Sequence, residues 1–524
     1  MSRASGRRGW KSFATASMYD LRLVPAAVTG WWVTAAGILW QITGLGASLS
    51  VIGVVAAAVG WWHRVRGDGT HQSAIGASAL AVAVVSVAFA ISVGLRVEAL
   101  RQHPITQKYG TVASVVVTPT DSPRVVGGNR MLFRASLRTL DGHGMTGRVV
   151  VFASAADFSR LSAGRPVGFR ARIGRPARQD LSVAVLSATS PPTWGEAATV
   201  FRAAHGIRSG FADAARGALP ADQSAMLPAL VLGDTSGVSQ QTIAEFKASG
   251  LTHLTAVSGA NVTIVCGAVL LSAGLVGPRI AAVLAAFALL VFVIVVQPSA
   301  SVLRAAVMGA VTLLAVVSHR RRQAIPALSA TVLTLMIASP ELAVDVGFAL
   351  SVSATAALVV IAPVWSRRLV DRGWPKPLAD AVCVAAAAQL VTAPLIAGVS
   401  GTFSVMSVVA NLAVAAVIPP ITVVGTAAAA LSPIWPAGAD MLIRFTGPEL
   451  WWLLRVAQWT AKVPGASIAV PSGLPGVVTV AAAGLVTVLS WRWRWTRVGV
   501  CGAIVFALAW TMSGVSGGHD TIIG

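Results

Sequence analysis

The sequence predicts a polytopic α-helical membrane protein of about 11–13 spans, with an extracellular all-β, OB-like domain inserted after the third span. The first observation is composition. Of 524 residues, 55% are hydrophobic and 11% are charged, whereas soluble domains carry roughly 25% charged residues. The second is the recurrence of apolar runs of about 20 residues, long enough to cross the hydrocarbon core. The third is the segment 97–195, which has no such run and alternates apolar with polar residues. Together these observations exclude a soluble enzyme.

The apolar runs divide the chain into five predicted parts. These are 1–96, a cytoplasmic N-terminal tail with three transmembrane helices; 97–195, the OB-like domain; 196–250, amphipathic or interfacial helices; 251–513, a second transmembrane domain; and 514–524, a short extracellular tail. Spans are expected near 23–43, 45–62, 74–95, 252–276, 279–297, 302–318, 324–339, 343–362, 378–397, 404–431, 441–462, 474–490 and 498–513. Pro419-Pro420 interrupts the stretch 404–431, which leaves the number of spans there open.

Basic residues concentrate in loops between the predicted spans and set the expected orientation. The chain carries 40 Lys+Arg against 19 Asp+Glu, a net charge of +21. Short loops rich in Lys and Arg stay in the cytoplasm. The loops concerned hold Arg64, Arg66, Arg320, Arg321, Arg322, Arg367, Arg368, Arg372, Lys376, Arg492, Arg494 and Arg497. We therefore expect a multi-pass protein of the cell membrane with its N-terminus in the cytoplasm and its C-terminus outside.

Five short alternating runs fill the segment 97–195. They begin at Gly110, Met131, Gly147, Pro166 and Leu181, and turn residues bound each of them. Period-2 patterning predicts strands that bury one face, and five such strands suit a small OB-like barrel.

Basic and aromatic side chains on this barrel form a candidate surface for nucleic acid. The candidate residues are Tyr109, Arg134, Arg138, Arg148, Arg170 and Arg172. Sites for single-stranded nucleic acid combine a basic groove with aromatic platforms on which bases stack. The competing interpretation is that the arginines are only solvated and that Phe133, Phe152 and Phe169 form the barrel core.

The segment 198–219 has the pattern of an amphipathic helix. Its apolar stripe consists of Phe201, Ala204, Ile207, Phe211, Ala215 and Leu219, while Arg202, His205, Arg208 and Arg216 fall elsewhere. This pattern suits a helix in the membrane interface. Two more helices are expected, one over 222–232 that ends at Gly233, and one between an N-cap at Ser239 and Gly250.

Polar residues punctuate several predicted spans and are candidates for the lining of a path through the membrane. The candidates are His253, Ser258, Gly259, Asn261, Arg304, Gln389 and Asn411. Polar side chains in contact with lipid are costly, so these residues are expected to face the protein interior or a wet cavity. Ser258-Gly259 is also expected to weaken its helix midway. Packing contacts between membrane helices use the same residue types, which is the competing interpretation.

Cysteine and histidine placement indicates no catalytic or metal site. Cys266, Cys383 and Cys501 lie far apart in apolar stretches and are expected to be small core residues. The eight histidines are scattered singly, and no Walker A motif is present. The sequence therefore predicts a protein without a cofactor, without a metal and without enzymatic activity.

An ordered set of motifs runs along the chain from Leu232 to Leu412. Its core is Leu232-Gly-Asp, then Phe246, then the run Gly250-Leu-Thr-His-Leu-Thr-Ala-Val-Ser-Gly259. Further elements follow in order: Arg304-Ala305, Met308, Arg320 to Arg322, Pro340, Gly347-Phe348, Ser351, Gln389, Thr392, Pro394, Phe403-Ser404 and Asn411-Leu412. This ordered set resembles the ComEC family of competence proteins. The resemblance extends over residues 30–510, and 97–195 occupies the place of the family's extracellular OB-like insert.

The resemblance implies a membrane channel that translocates single-stranded DNA during natural transformation. As partners it implies the lipid bilayer, a DNA receptor outside, a cytoplasmic DNA-translocating ATPase and, as an option, a separate nuclease. Many members have His where Asn261 stands, and many continue into a metallo-β-lactamase-like domain. Since this chain ends at Gly524 without a zinc-ligand cluster, no zinc nuclease is expected in it. A secondary transporter or exporter of a small solute and a truncated inactive relative are the alternatives.

Overall fold

The computed structural model describes residues 21–490 except 42–71, 122, 127, 177, 256, 258, 274–275, 298 and 318–322, together with residue 502. The chain divides into two compact units. Unit 1 comprises Met1–Glu196 and Ala310–Phe348, and unit 2 comprises Ala197–Gly309 and Ala349–Gly524. The predicted spans 45–62 and 498–513, the tail 514–524 and the candidate residue Ser258 lie outside the described residues.

Helices dominate both units. In chain order they are α1 (Val24–Leu39), α2 (Gln72–Arg101), α3 (Thr199–Ala218), α4 (Ala221–Leu232), α5 (Gln240–Ala248), α6 (Gly259–Ser272), α7 (Pro278–Val296), α8 (Ala300–Val317), α9 (Ala324–Ala338), α10 (Val346–Val360), α11 (Ala362–Val370), α12 (Lys376–Ser400), α13 (Ser407–Val414), α14 (Ile418–Leu431), α15 (Pro436–Phe445), α16 (Gly447–Lys462) and α17 (Leu474–Ser490). Short 3-10 turns span Pro104–Lys108, Thr252–Leu254 and Pro340–Val344.

The strands of unit 1 form a closed barrel. They are β1 (Val112–Pro119), β2 (Arg124–Val125), β3 (Arg130–Leu140), β4 (His143–Ser154), β5 (Val167–Gly174), β6 (Ala184–Ala188) and β7 (Thr193–Trp194). The long strands follow the order β1-β3-β4-β6-β5, and β5 pairs back with β1. Only the β4–β6 pair is parallel within this barrel. This is the connectivity of a five-stranded OB-like barrel, so the five strands predicted from alternation are confirmed.

A tight hairpin joins β3 to β4. Leu140 pairs with His143, and the two intervening residues, Asp141 and Gly142, have φ values of 49° and 82°. Positive φ at both positions matches the type I′ turn, which Asp-Gly favours because it follows the twist of the strands. Asp141 also fixes this end of the barrel, since its Oδ1 accepts from the Ser114 backbone N–H at 3.0 Å and its Oδ2 from Lys108.

Aromatic and branched side chains on the inner faces of the strands form the barrel core. Phe133 and Phe169 are buried, and Phe158 packs edge-on against Phe169 with ring centroids 5.4 Å apart. Phe152 differs, since it lies half-buried on the outer face with the Arg130 guanidinium 5.5 Å from its ring. The core interpretation therefore holds for Phe133 and Phe169 and fails for Phe152.

Small residues let the helices of unit 1 approach closely. A Cβ on Gly30 of α1 would lie 3.0 Å from the Phe89 ring of α2, and one on Gly37 would lie 2.8 Å from Val93. Close backbone approach at glycine is common between membrane helices. Trp31 of α1 donates from Nε1 to the Ala343 carbonyl at 2.8 Å, which ties α1 to the 3-10 turn Pro340–Val344.

Several described helices are long and apolar enough to cross a membrane. By length and composition they are Val82–Lys108, Arg279–Val296, Val346–Val370 and Lys376–Ser400. The helices α13 and α14, bent by 56°, qualify together as a fifth. Shorter apolar helices are Val24–Leu39, Asn261–Ser272, Ala300–Leu314, Ala324–Ala338 and Leu474–Ser490. A helical protein with several potential spans and an OB-like barrel is thus established, whereas the number of 11–13 spans stays a prediction.

The bend between α13 and α14 has a local cause. Pro419 and Pro420 occupy the first turn of α14 and have no N–H to continue the helical hydrogen bonds of α13. The Val417 N–H bonds to Val414 instead of Ala413, and the Ala413 carbonyl accepts from Trp452 Nε1 of α16 at 2.9 Å. The predicted interruption of 404–431 is confirmed.

The expected span 252–276 is interrupted where Ser258-Gly259 was expected to weaken it, since Thr252–Leu254 is a 3-10 turn and α6 begins at Gly259. One prediction about a helix face is wrong. In α3 the buried face consists of Ala204, Arg208, Phe211 and Ala215. Arg208 was expected on the polar face. It lies on the buried face because backbone carbonyls there accept hydrogen bonds from its guanidinium.

Candidate functional site

A cluster of polar side chains, here called the polar cluster, lies among the apolar helices of unit 2. Its members are His253, Gln389, Ser404, Ser407 and Asn411. The Ser407 hydroxyl donates to Gln389 Oε1 at 2.8 Å, and Asn411 Nδ2 donates to the Ser407 carbonyl at 2.8 Å. Gln389 Nε2 donates to the Ser404 carbonyl at 3.3 Å. The imidazole of His253 lies next to the Asn411 side chain and the Gly250 backbone. Three predicted path residues, His253, Gln389 and Asn411, thus meet.

Glycine at position 250 permits this convergence. Gly250 follows α5 with a φ of 74°, and a Cβ there would lie only 2.5 Å from the Ser407 Cβ. The preceding helix α5 begins as predicted, because Ser239 Oγ accepts from the Thr242 N–H at 3.1 Å. The Ser404 hydroxyl completes the join by donating to the Ala248 carbonyl at 2.7 Å. The chain therefore turns sharply at Gly250 and delivers His253 to α13.

The members of the polar cluster differ in exposure. Ser407 is buried, Gln389 and Asn411 are half-buried, and His253 is exposed. His253 therefore lies at the accessible edge of the polar cluster. Imidazole, amide and hydroxyl groups both donate and accept hydrogen bonds without a fixed charge. Such a lining can replace the hydration of a polar solute that passes it.

Asn261 of α6 faces a small cavity a short distance along the chain. Its Nδ2 donates to the Leu230 carbonyl at 2.9 Å. The cavity measures about 20 Å³ and is lined by Leu230, Leu254, Asn261, Ile418, Ile421 and Thr422. That volume is enough for one water molecule. Asn261 therefore joins α6 to α4 in this structure and lies beside, not inside, the polar cluster.

Arg304 of α8 is a second buried polar group in unit 2. It is 7% exposed. Its Nε donates to the Ser351 hydroxyl at 2.7 Å, and its Nη1 lies 3.2 Å from the Met308 sulfur. Gly259 accommodates the guanidinium, because a Cβ on Gly259 would lie 2.6 Å from Arg304 Nη2. The predicted residues Gly259 and Arg304 are thus neighbours.

Arg208 is a site residue that the sequence analysis missed. Its Nη1 donates to the carbonyls of Leu232, Val295 and Val296 at 2.7, 3.2 and 3.3 Å, and its Nη2 lies 3.8 Å from the Asp234 carboxylate. These carbonyls belong to the last turns of α4 and α7, where helix dipoles favour a cation. Gly233 ends α4 with a φ of 70° and so turns Asp234 toward the arginine. Through Arg208, the Leu232-Gly-Asp motif therefore joins α3, α4 and α7.

Two of the predicted DNA-binding arginines of the barrel are paired with carboxylates of unit 1. Arg134 of β3 lies 3.4 Å from Asp345, and Arg148 of β4 forms an ion pair with Glu341. Asp345 also accepts from the Phe348 N–H at 2.9 Å and thereby caps α10. The outer face of β3 and β4 thus contacts the 3-10 turn Pro340–Val344 and the residue after it.

The other candidate residues lie elsewhere on the barrel. Arg138 donates from Nε to the Thr118 hydroxyl at 3.2 Å, while Arg170 and Arg172 are exposed on β5. Tyr109 donates to the Val183 carbonyl at 2.7 Å and has Arg175 5.8 Å from its ring. Burial raises the pKa of the Tyr109 hydroxyl above 10.0 although Arg175 lowers it, so the hydroxyl is a donor at neutral pH.

Arginine-over-aromatic pairs recur on the barrel surface. Besides Tyr109 with Arg175, Arg165 lies 5.0 Å from the Trp194 ring and Arg130 lies 5.5 Å from the Phe152 ring. Such pairs offer positive charge and a flat ring together, the two elements that single-stranded nucleic acid sites use. Arg130, Arg165 and Trp194 were not among the predicted residues, although an Arg four positions before Arg134 on the same strand face was a readable signal.

Metal ligation has no candidate within the described ranges, where no three His, Cys, Asp or Glu side chains are grouped to hold an ion. Cys266 and Cys383 are free and buried, which agrees with small core residues, and Cys501 lies outside the described residues. The expectation of no cofactor stays an expectation.

Comparison with known proteins places these features in a family. The family model "Competence protein" matches residues 230–495, half of the chain. The chain belongs to the competence protein family. The matched range contains the polar cluster, Asn261, Gly259 and Arg304, whereas Arg208 and the barrel precede it. The ComEC-type resemblance inferred from the motifs is confirmed.

A curated relative within the competence protein family is ComE operon protein 3 from Bacillus subtilis (strain 168). It is 25% identical over 197 residues, which cover 37% of this chain and 24% of the relative. The aligned region therefore spans about a quarter of the relative's length. No solved structure matches the chain.

Proposed function

We propose that this competence protein is a membrane channel that moves single-stranded DNA across the cytoplasmic membrane during natural transformation. The observation that carries the proposal is the polar cluster. Neutral groups that donate and accept hydrogen bonds converge from four chain segments among apolar helices, in the part of the chain that matches the family. A passing strand needs such groups in place of water, and no covalent chemistry.

The barrel supports the same proposal as a first contact for DNA. Arg170 and Arg172 are exposed on adjacent outward positions of β5, and the stacked arginine–aromatic pairs lie on the same domain. In the proposal the barrel lies outside the cell and binds DNA weakly, without sequence preference. Its contacts would be with phosphates and with the faces of stacked bases. A DNA receptor outside, a cytoplasmic DNA-translocating ATPase and, as an option, a separate nuclease would act with it.

Loss of the gene tests the proposal directly. In a competent host, a deletion strain should fail to take up labelled DNA, and the wild-type gene should restore uptake. Gln389→Leu and Asn411→Leu should each lower uptake roughly tenfold, the factor for a barrier raised by about 1.4 kcal/mol. Thr392→Val is the matched control, because the Thr392 hydroxyl bonds only its own helix, at Ala388. Normal uptake in the deletion strain would overturn the channel and leave solute transport as the alternative.

Cysteine accessibility tests where the path runs. In a chain whose three native cysteines are replaced, His253→Cys should react with membrane-impermeant thiol reagents, since His253 is exposed. Labelling there should block DNA uptake. Asn261→Cys should react slowly, because Asn261 is 5% exposed. The reverse order of reactivity would move the path from the polar cluster to the Asn261 cavity.

A further inference from the structure

Arg304 carries a buried charge with only neutral partners. Its Nε bonds to the Ser351 hydroxyl, and its Nη1 contacts the Met308 thioether, which is a weak acceptor. In the part of the chain that the structure describes, no carboxylate forms an ion pair with Arg304. Arg208, which is equally buried, has three carbonyls and Asp234. A buried charge is costly unless it is paired. Arg208 has the carboxylate of Asp234 as its partner, and Arg304 has no described carboxylate in that role.

The free side of the guanidinium faces the start of α6. Nη2 donates no hydrogen bond to a described residue, and it lies where a side chain at position 259 would stand, 2.6 Å from an ideal Cβ. A second neighbour of that position is the Ala305 Cβ at 3.4 Å. A methyl group at position 259 would therefore press against Nη2. The helix α6 that begins there is 14 residues long, and its first backbone N–H groups carry the positive end of the helix dipole.

Two positive centres thus meet, and no carboxylate of the described residues pairs with this guanidinium. A helix N-terminus and a guanidinium repel each other unless a negative group lies between or beside them, and each separately is a frequent partner of oxyanions. The Ser351 hydroxyl accepts from the neighbouring Nε and so holds the guanidinium in this position. The arrangement is preorganised for an anion whose oxygens accept from Nη2 and from backbone N–H groups.

We infer that Arg304 Nη2 and the N-terminus of α6 at Gly259 form a binding site for a phosphate-type oxyanion. The inference rests on the proposed function for its main source of that anion, the phosphodiester of a DNA strand. A phospholipid headgroup supplies the same chemistry. In either case the anion completes the partner set of Arg304, and the site binds phosphate oxygens without reading bases.

Thermal unfolding of the purified full chain in detergent tests the site, with inorganic phosphate as the probe and chloride at equal ionic strength as the reference. Phosphate should raise the Tm of the wild type by a few degrees, since a ligand that binds only the folded state stabilises it. Arg304→Gln should lose this rise. Without phosphate this variant should melt no lower than the wild type, because it removes an unpaired buried charge. Arg202→Gln, exposed on α3, should keep the full rise.

A second variant guards against a folding defect in the first. Gly259→Ala retains the Arg304 charge and places a methyl group beside Nη2, so it should also lose the phosphate response. An equal rise in Tm for the wild type, Arg304→Gln and Gly259→Ala would overturn the site, whatever the DNA-uptake assay shows. Loss of the response in both variants, with retention in Arg202→Gln, would support it even if DNA uptake in the deletion strain were normal.

Two further probes separate the sources of the anion. A short single-stranded oligodeoxynucleotide is compared with an uncharged peptide nucleic acid of the same sequence, and phosphatidylglycerol is added to lipid-free protein. If DNA is the source, the charged oligonucleotide should raise the Tm in an Arg304-dependent way and the peptide nucleic acid should not. If only phosphatidylglycerol does so, the site binds a lipid headgroup, and the DNA form of the inference is overturned.

Discussion

Arg134 of the barrel lies 3.4 Å from the carboxylate of Asp345, Nη1 to Oδ2, and the Arg148–Glu341 ion pair lies on the neighbouring strand. Two arginines that could bind phosphate are therefore already paired with carboxylates of unit 1. Any DNA strand that reaches this face has to compete with Asp345 and Glu341.

Neutralising both carboxylates should strengthen DNA binding. The double variant Asp345→Asn/Glu341→Gln frees Arg134 and Arg148, while the asparagine can still cap α10. Affinity of the purified full chain for a labelled single-stranded oligonucleotide should rise, and its salt dependence should steepen by about 0.7 in log–log slope for each additional phosphate that an arginine neutralises. Asp157→Asn is the control, an exposed carboxylate that forms no ion pair with a described residue. Unchanged affinity and slope would mean that the two arginines do not bind DNA.

Removing Arg208 should destabilise unit 2. Arg208→Met leaves three carbonyls and Asp234 without their shared partner, and breaking a buried charge pair costs about 3 kcal/mol or more. Thermal unfolding in detergent should show a clearly lower Tm for Arg208→Met. Arg202→Met on the same helix should melt like the wild type, since Arg202 is exposed. Equal melting of both variants would show that the carbonyls find other donors.

Substituting Gly250 should disrupt the polar cluster. Gly250→Ala combines a φ of 74° with a methyl group 2.5 Å from the Ser407 Cβ, so both strain and a clash oppose it. We expect a lower Tm and reduced DNA uptake. Gly206→Ala is the matched comparison, because Gly206 lies in α3 with open space around it. Alanine there should stabilise the helix by about 0.5–1 kcal/mol. A Gly250→Ala protein with normal Tm and uptake would refute the role assigned to the turn.

The barrel should lose stability in acid through Asp141. The hydrogen bond from Lys108, followed by that from the Ser114 N–H, holds the pKa of Asp141 below its ordinary 3.8. A lowered pKa means that the carboxylate stabilises the fold above the unfolded value and stops doing so as pH falls through the folded one. In residues 97–195 expressed alone, the stability difference between wild type and Asp141→Asn should therefore shrink below about pH 4. A difference that is constant from pH 7 to pH 3 would contradict this.

Asp121, in the same barrel, should affect stability in the opposite direction with pH, because its pKa is raised. Burial raises its pKa above 3.8, against the hydrogen bond from the Arg134 backbone N–H and the charges of Arg134 and Arg124, which lower it. Its ionised form therefore costs stability at neutral pH, and the cost disappears as pH falls. Asp121→Asn should raise the Tm of the same fragment at pH 7 and have less effect in acid. A uniform destabilisation would show that the Asn amide cannot accept the Arg134 N–H.

Local sequence patterns account for most of the elements but for few of the contacts. Alternation predicted the barrel strands because each buries one face, and Ser239 and Gly250 predicted helix ends because caps act within a few residues. Arg208 was assigned to the polar face because it is charged, although its position in the helix falls on the buried stripe. Its partners, Leu232 and Val295, lie 24 and 87 residues away, and no periodicity encodes such a distance.

The candidate site shows the same limit. Composition and the motif order selected His253, Gln389 and Asn411 as polar residues in apolar surroundings. That they share one cluster, with Ser407 as the link, follows from the turn at Gly250 and the break before α13, which only three-dimensional packing fixes. The pairing of Arg134 and Arg148 with carboxylates more than 190 residues away was equally out of reach.

The corner between α13 and α14 limits where this part of the chain can reside. Pro419 and Pro420 cannot donate to the carbonyls of Ala415 and Ala416, and the indole of Trp452 serves only Ala413. Two backbone oxygens at the corner therefore depend on partners from outside the helix. Hydrocarbon offers none. The corner can therefore lie only against other protein groups or next to water. In a bilayer around unit 2, water or protein would have to reach the carbonyls of Ala415 and Ala416.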